Sequence, residues 1–171
     1  MTNTPPIYVL DANVFIEAQR RYYAFDLCPG FWECLLHHHH AARIISVDRV
    51  RDEISPGDEL ETWAKTTAPG GFFASTADAA VVQHFMAIMQ WVQSQAQFKV
   101  EARAEFAQVA DGWLVAYARA YGGIVVTHEE YAPDARKRVK IPNVCKQFEV
   151  AYTDTFAMLR DLQARFDWTA P

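Results

Sequence analysis

The sequence predicts an α/β domain with a mainly parallel central sheet. Short β-rich runs alternate with longer segments of helical periodicity, and hairpin signals are few. At 171 residues, with 51% hydrophobic and 22% charged residues, the chain has the size and composition of one globular domain. We therefore expect a single domain over residues 1–171, with a three-layer core at about 7–150 in which helices flank the sheet.

The first part of the chain is predicted to contain two strands and three helices. Each strand-like run is apolar and β-branched, and each helical segment repeats its apolar residues at helical spacing. The strands are expected at 7–11 and 43–47, and the helices at 14–23, 31–42 and 49–54, the last capped by Asp48.

Residues 57–108 are predicted to form a helical insertion, with helices at 57–66, 77–95 and 100–108. Thr76 is a suitable N-cap for the middle helix. That helix carries an apolar stripe at helical spacing, which indicates a core face or a partner-facing surface. The stripe consists of Val81, Phe85, Ile88, Met89 and Val92.

The last third begins with a helix that opens at Ala110-Asp111 and ends at Gly122-Gly123, a typical C-terminal cap. A strand at 124–128 follows directly. Residues 141–145 and 148–150 are further strand candidates, and a C-terminal helix is expected at about 154–166 with Thr153 as its cap.

Composition limits the classes of function. A net charge of −5 argues against a protein that coats nucleic acid through bulk electrostatics, although it does not exclude a nuclease. No stretch approaches the length of a membrane span, and the N-terminus lacks the pattern of a signal peptide. Three cysteines do not make a disulfide framework, so we expect free thiols in a reducing cytoplasm.

Four carboxylates stand where strand-like runs end or helices begin: Asp11, Glu53, Asp111 and Glu129. The carboxyl ends of parallel strands share one edge of a sheet, so these acids are expected to gather there. Gathered acids repel one another unless a cation lies among them, and hard oxygen ligands favour Mg²⁺ or Mn²⁺. The placement predicts metal-dependent phosphate chemistry.

Each acid also has a simpler explanation. Asp11 and Asp111 could be helix N-caps, and Glu53 or its neighbour Asp52 could form a surface salt bridge with Arg49. Glu130, beside Glu129, leaves open which of the two is the fourth acid.

Other residues near these motifs are candidate helpers. Asn13 and Thr127 could orient a ligand water or a phosphate oxygen. Basic residues follow Glu129 and could track phosphates, or form a solvated loop. The run after Glu129 comprises Arg136, Lys137, Arg138, Lys140 and Lys146. The candidate RNA contacts are its first three members together with Arg20 and Arg21, which follow Asp11. The run 37–40 consists of four histidines inside a predicted helix, and a metal site pairing it with Cys34 is conceivable although the spacing fits no zinc pattern.

The order and spacing of the four acids resemble the PIN-domain family, which carries an acid after the first strand, a Glu on the helix after the second, an Asp starting a later helix and a fourth acid after the next strand. The matching segments are 8–16, 47–53, 110–116 and 125–129. The likeness is greatest to toxin-type (VapC-like) members of bacterial toxin–antitoxin pairs, and within them to a longer uncharacterised subgroup. The fourth acid is commonly Asp in that family, whereas here it is Glu129.

The resemblance implies an endoribonuclease that depends on one or two Mg²⁺ or Mn²⁺ ions held by Asp11, Glu53, Asp111 and Glu129. It implies hydrolysis of RNA phosphodiester bonds to a 3′-hydroxyl and a 5′-phosphate, an antitoxin protein as partner, and often a homodimer. We expect no membrane partner.

Two other classes of protein are compatible with a strand-end aspartate. A catalytically silent PIN-like module that binds RNA or protein is one alternative, although all four acid positions are filled. A haloacid-dehalogenase-like phosphatase also begins with a strand-end Asp. Such an enzyme needs a second Asp where this chain has Asn13, and a Lys that is absent between Asp111 and Glu129.

Overall fold

The computed structural model describes residues 4–171 and contains a five-stranded sheet in which every pair of neighbours is parallel. The strands are β1 (Tyr8–Leu10), β2 (Ile44–Val47), β3 (Phe73–Ala74), β4 (Ile124–Val126) and β5 (Tyr152–Thr153). Their order across the sheet is β3-β2-β1-β4-β5. The chain thus builds outward from β1 on one side, then crosses back and builds outward on the other. The predicted α/β class is confirmed.

The centre of the sheet is formed by β1 and β4, paired with Tyr8 opposite Ile124 and Leu10 opposite Val126. Val9, Leu10, Val125 and Val126 have no exposed surface. A parallel strand covered by helices on both faces is apolar along its whole length, which explains why these runs do not alternate with polar residues.

Nine helices flank the sheet within residues 4–171. In chain order they are α1 (Ala12–Glu17), α2 (Pro29–His40), α3 (Asp48–Asp52), α4 (Glu59–Thr62), α5 (Ala79–Ser94), α6 (Val100–Phe106), α7 (Asp111–Tyr121), α8 (Ile141–Gln147) and α9 (Thr155–Asp161). Two π-helical segments, Ala18–Tyr22 and Trp63–Thr67, continue α1 and α4. The arrangement of sheet and helices is consistent with a PIN-like three-layer fold.

Helix α5 packs along α7. Val81, Ile88 and Val92 from the predicted apolar stripe are fully buried within the chain. Close approach of the two helices depends on Gly112, because a Cβ added there would lie 3.0 Å from the Phe85 ring. These three buried residues therefore serve the core and are not available to a partner.

Helix α7 carries its first residue, Asp111, to the edge of the sheet at which the strands end. The helix ends at Gly122, whose left-handed conformation (φ 66°) confirms the predicted glycine cap. Because β4 follows at once and is parallel to β1, α7 runs in the opposite direction to the strands, with its N-terminus at their carboxyl edge.

The strand predicted at 141–145 is wrong, since Ile141–Gln147 is helix α8. Pro142 lies in the first turn of this helix, where its missing N–H costs no hydrogen bond and its fixed φ suits the helix. The strand candidate at 148–150 is wrong as well, because the outer strand is Tyr152–Thr153.

Three predicted helix caps are displaced by one or two residues. The cap position of α3 is Val47, that of α5 is Asp78, and that of α9 is Asp154, rather than Asp48, Thr76 and Thr153. Both aspartates accept backbone hydrogen bonds from the first turn of their helices. The last helix ends at Asp161, earlier than the predicted 166.

Asp48 and Thr76 instead bind each other. The Thr76 hydroxyl donates to Asp48 Oδ1 at 2.8 Å, and the Thr76 backbone N–H donates to Asp48 Oδ2 at 3.1 Å. This contact fastens the start of α3 to the segment after β3. The predicted insertion at 57–108 is not purely helical, because it contains β3, which joins the sheet beside β2. No helix within residues 4–171 combines the length and hydropathy required to cross a lipid bilayer.

Candidate functional site

The candidate site lies at the carboxyl edge of the sheet, where the order of connections reverses between β1 and β4. In open parallel sheets this reversal leaves a crevice beyond the strand ends, and ligands bind there. Asp11 directly follows β1, and Thr127 directly follows β4. Two of the predicted site residues are thus placed side by side by the sheet itself.

Asp11 is almost fully buried, with 2% of its surface exposed. It occupies the N-cap position of α1 but makes no side-chain capping hydrogen bond. Its Oδ2 instead accepts a hydrogen bond from the Thr127 hydroxyl at 3.1 Å. The simple capping explanation for Asp11 therefore fails, and the side chain is directed at the strand-end crevice.

Asp111 is the first residue of α7 and is 7% exposed. It also makes no side-chain capping hydrogen bond, because the cap position belongs to Ala110. The helix N-terminus favours a negative charge at this position. Its carboxylate lies near the same acids as Asp11, because after burial the charges of Asp11, Glu129 and Glu53 raise its pKa.

Glu53 lies at the C-terminal end of α3 and reaches the start of α7. Its Oε1 accepts a hydrogen bond from the Ala110 backbone N–H at 2.6 Å. Asp52 pairs at 3.9 Å with Arg51, and Arg49 lies over the Trp113 ring, so the predicted salt bridge between Arg49 and either acid is not formed. Of the two neighbouring acids, Glu53 belongs to the site.

Glu129, rather than Glu130, is the fourth acid of the group. Glu129 Oε2 accepts a hydrogen bond from the Ile141 backbone N–H at 2.7 Å, and its side chain is 11% exposed. Glu130 is exposed and forms no ion pair within the described chain. The Thr127 hydroxyl connects the two strand-end acids, since it donates to Asp11 and accepts from the Glu129 backbone N–H at 3.2 Å.

Burial and mutual repulsion raise the pKa of both buried aspartates. Loss of hydration, followed by the negative charge of Glu129, raises the pKa of Asp11 to about 7. Loss of hydration, followed by the charges of Asp11, Glu129 and Glu53, raises the pKa of Asp111 to about 8. The four acids, distant in sequence, therefore share one electrostatic environment.

Arg138 supplies the one cation that contacts this group among the described residues. One guanidinium nitrogen, Nη2, lies 3.2 Å from Glu129 Oε1 and 4.0 Å from Asp111 Oδ2. The charge of Arg138 lowers the pKa of Asp111, although burial and the neighbouring acids outweigh it. Arg138 lies on the segment between β4 and α8, which has no regular secondary structure.

The donor set fits a divalent cation in its chemistry. All four side chains are carboxylates, and burial, followed by repulsion from neighbouring acids, raises the pKa of Asp11 and Asp111 despite the nearby charge of Arg138. In residues 4–171, however, no three acidic, imidazole or thiol groups are close enough together to hold a metal ion as they stand. Binding would require the carboxylates to draw closer around the ion.

A cavity of about 340 Å³ adjoins the acids on the side of β5. Glu129, Glu130, Tyr131 and Tyr152 are among its lining residues. Both tyrosines are about 40% exposed, at 39% for Tyr131 and 40% for Tyr152. Of the four acids only Glu129 lines this cavity, so the group is reached from solvent on this side through Glu129.

The remaining predicted helpers are distributed unevenly. Arg138 alone among the five candidate RNA-contact residues forms an ion pair with the acids. Arg21 pairs with Glu17 at 3.3 Å, and Arg20, Arg136 and Lys137 are exposed. Asn13 is partly buried on α1 and makes no side-chain hydrogen bond within the described chain. The roles assigned to these residues stay predictions.

The histidine run lies at the end of α2. His39 and His40 contact backbone carbonyl oxygens of Ile44 and Leu36. His37 and Cys34 do line one cavity of about 590 Å³, but no third ligand completes a metal site within the described range.

Sequence reasoning missed the contacts that tie the acids to the backbone. The Glu53 bond to Ala110 and the Glu129 bond to Ile141 join residues 57 and 12 positions apart. No periodicity or spacing signals either contact. The basic run after Glu129 did indicate the segment that contains Arg138. It did not indicate that the Arg138 side chain would contact the acids.

Among curated proteins, none matches this sequence. The model of one family, described as a domain of unknown function (DUF4411), matches residues 8–166. The match extends from the first strand of the sheet past the last helix and includes all four acids. The chain therefore belongs to the DUF4411 family.

Proposed function

We propose that this protein is a metal-dependent endoribonuclease that hydrolyses RNA phosphodiester bonds. The observation that carries the proposal is the convergence of Asp11, Glu53, Asp111 and Glu129, from four separate segments, at the switch point of a parallel sheet. Two of them, Asp11 and Asp111, are buried with raised pKa values and without enough counter-charge. A cluster built at such electrostatic cost is typical of functional sites.

The residues divide into distinct roles. Mg²⁺ or Mn²⁺ would be held by the four carboxylates, and when bound it supplies activation of water and neutralisation of charge on the scissile phosphate. Thr127 orients Asp11 through its hydroxyl. Glu53 and Glu129 each accept a backbone N–H hydrogen bond with one oxygen, which fixes the side chain. The other oxygen of Glu53 is left for a ligand, and that of Glu129 contacts Arg138 and would have to be released to bind one. Asn13 is proposed to orient a water.

The order of the acids and the β3-β2-β1-β4-β5 sheet support a PIN-domain relationship, and with it a toxin-type (VapC-like) ribonuclease of the longer subgroup. On that basis we propose that an antitoxin protein covers the acidic crevice, that a homodimer forms, and that the protein acts in the cytoplasm. Cys28, Cys34 and Cys145 are free thiols, which suits a reducing compartment.

A catalytically silent PIN-like binding module is the second candidate. The ion pairs of Arg138 with Glu129 and Asp111 favour it, because they partly satisfy the acids without a metal. A module of this kind would bind RNA or protein while leaving the phosphodiester bond intact.

The test is incubation of the purified protein with a mixture of RNAs in Mg²⁺ or Mn²⁺, with and without EDTA, alongside growth of cells that express it. We expect cleavage that stops on chelation, 5′-phosphate ends on the products, and arrested growth. Cleavage that ignores EDTA would overturn the metal mechanism, and RNA binding without cleavage would establish the silent module.

A further inference from the structure

We propose that Arg138 is a built-in counter-cation of the acidic cluster, which competes with a divalent metal ion for Asp111 and Glu129 and must leave before the metal-loaded site forms. This inference rests on the proposed function, since it concerns the same metal site. Arg138 would then set the affinity of the acidic cluster for the metal ion.

The geometry points to this role because one guanidinium nitrogen contacts two of the four acids. The Nη2 atom lies 3.2 Å from Glu129 Oε1 and 4.0 Å from Asp111 Oδ2. The oxygen of Glu129 that faces Arg138 is the one that the Ile141 backbone N–H leaves unoccupied. Arg138 therefore takes the carboxylate oxygen that is otherwise free for a metal ion.

Arg138 is held loosely enough to leave. Its side chain is 54% exposed, whereas those of Asp111 and Glu129 are 10% and 11% exposed. It comes from a segment without regular secondary structure. Because the next residue, Val139, is buried, the Arg138 side chain can turn outward while the backbone stays in place. Because the side chain already faces solvent over more than half of its surface, its rotation outward exposes little that is not already hydrated.

The competition follows from charge. A guanidinium near a divalent ion repels it, and both cannot neutralise the same two carboxylates. Without Arg138, the four acids would lack their one contacting cation, and the drive to take up a metal would increase. Arg138 thus lowers the affinity for metal while it limits repulsion among the acids in the metal-free protein.

The experiment measures the dissociation constant of Mn²⁺ by electron paramagnetic resonance, without RNA, for wild type, Arg138→Ala and Lys137→Ala. Lys137 is exposed and forms no ion pair within the described chain. Because Lys137→Ala removes the same unit of charge as Arg138→Ala, it controls for net charge. We expect Arg138→Ala to bind Mn²⁺ about tenfold more tightly than wild type, and Lys137→Ala to change the constant by less than about twofold.

Thermal melting in EDTA gives a second readout. Arg138→Ala should melt lower than wild type without metal, and Mn²⁺ should raise its melting temperature by more than that of wild type. Arg138→Gln, which keeps most of the side-chain length without the charge, should behave like Arg138→Ala.

The outcomes separate the two proposals. Equal or weaker Mn²⁺ binding by Arg138→Ala, while wild type binds, would overturn the role of Arg138 and leave the nuclease proposal intact. Binding by Arg138→Ala but not by wild type would support the competition in its strongest form. Failure of both proteins to bind Mn²⁺ would overturn the metal-dependent function and this inference with it.

Discussion

Asp11 combines near-complete burial with a single side-chain hydrogen-bond donor, the neutral Thr127 hydroxyl. A carboxylate in such a place is costly to ionise, and its pKa rises to about 7. A residue that served only to begin α1 would accept a capping hydrogen bond from the second or third residue of that helix, and Asp11 makes no side-chain capping hydrogen bond. Capping of α1 therefore does not account for the burial of Asp11, which is why the proposed function makes it a metal ligand.

Asp11→Asn should abolish cleavage of RNA without unfolding the protein. We expect a loss of activity beyond about 100-fold, because even residues that support metal ligands indirectly cost about 10- to 100-fold. The melting temperature should not fall, since the substitution keeps the shape and removes a charge that is costly to bury. Cleavage assays and circular-dichroism melts check both. Full activity in the variant would rule out this mechanism.

Glu129 and Glu130 form a matched pair for a second test. Glu129→Gln should reduce cleavage by about 10-fold or more while keeping an acceptor for the Ile141 backbone N–H, whereas Glu130→Gln should stay within about twofold of wild type. Initial rates at saturating Mg²⁺ measure the difference. If Glu130→Gln proved the more damaging variant, the assignment of the fourth acid would be reversed.

At this scale the sequence allowed prediction of the acids but not of their partners. Asp11, Asp111 and Glu129 could be found because each follows a strand-like run or opens a helix, and topology brings such positions together. The direction of Arg138 could not be found, because an irregular segment has no periodicity from which to infer where a side chain points. Glu53 was predicted as the acid of its helix, but its contact with the Ala110 backbone N–H joins segments 57 residues apart and could not be predicted.

Among the elements, α8 shows why short apolar runs mislead. The run Ile141–Cys145 is brief, buried and rich in residues that suit either a strand or a helix, so its composition cannot decide. Pro142, which suits the first turn of a helix, was the signal available in the sequence. The outer strands β3 and β5 have two residues each, too few to show any periodicity.

The junction between α7 and β4 depends on the absence of a side chain at Gly123. A Cβ there would lie 2.7 Å from Val9 Cγ2 and 3.3 Å from the Ile7 carbonyl oxygen. Val9 is fully buried in β1 and cannot move aside without disturbing the sheet. This close approach keeps α7, and with it Asp111, against the strand that carries Asp11.

Gly123→Ala should therefore destabilise the protein by about 1–3 kcal/mol, the usual cost of overpacking a core. Gly70→Ala is the control, because a Cβ at Gly70 meets nothing within 4 Å and its φ is not positive. The control should change the free energy of unfolding by less than about 0.5 kcal/mol. Urea unfolding of both variants measures the difference, and equal stabilities would show that the junction has room to adjust.

For the whole molecule, the sheet order decides where chemistry can occur. Alternation of strands and helices predicted a parallel sheet, and right-handed crossovers placed the strand ends together. The position of the switch point between β1 and β4 could not be predicted, because it depends on which strands pair across more than 100 residues. Those pairings depend on the packing of α7 against β1, β2 and β4, with α5 packed in turn on α7, and not on local sequence.

The shared acidic cluster links global stability to pH and to metal. In the unfolded chain Asp11 and Asp111 ionise near the ordinary aspartate pKa of 3.8, whereas in the folded protein their pKa values rise to about 7 and 8. The folded state therefore holds these protons more tightly, so stability is lost as pH rises from about 4 through 8. Burial lowers the pKa of His38 and His128, which acts in the opposite sense below about pH 6.5.

In EDTA, we expect the melting temperature to fall between pH 6.5 and 9. The corresponding loss in the free energy of unfolding is on the order of a few kcal/mol. The double variant Asp11→Asn, Asp111→Asn should lack this fall, because it has no such protons to release, and comparison with it removes the histidine contribution. Mg²⁺ should raise the melting temperature of wild type more at pH 9 than at pH 6, since a cation is bound most strongly once the carboxylates are charged. Scanning fluorimetry at matched ionic strength measures all three effects. Two results together would contradict this prediction: melting temperatures of wild type and double variant that change with pH in parallel, and no rise with Mg²⁺ at either pH. They would mean that the pKa values of the two aspartates are not raised by folding and that the site does not bind the metal ion.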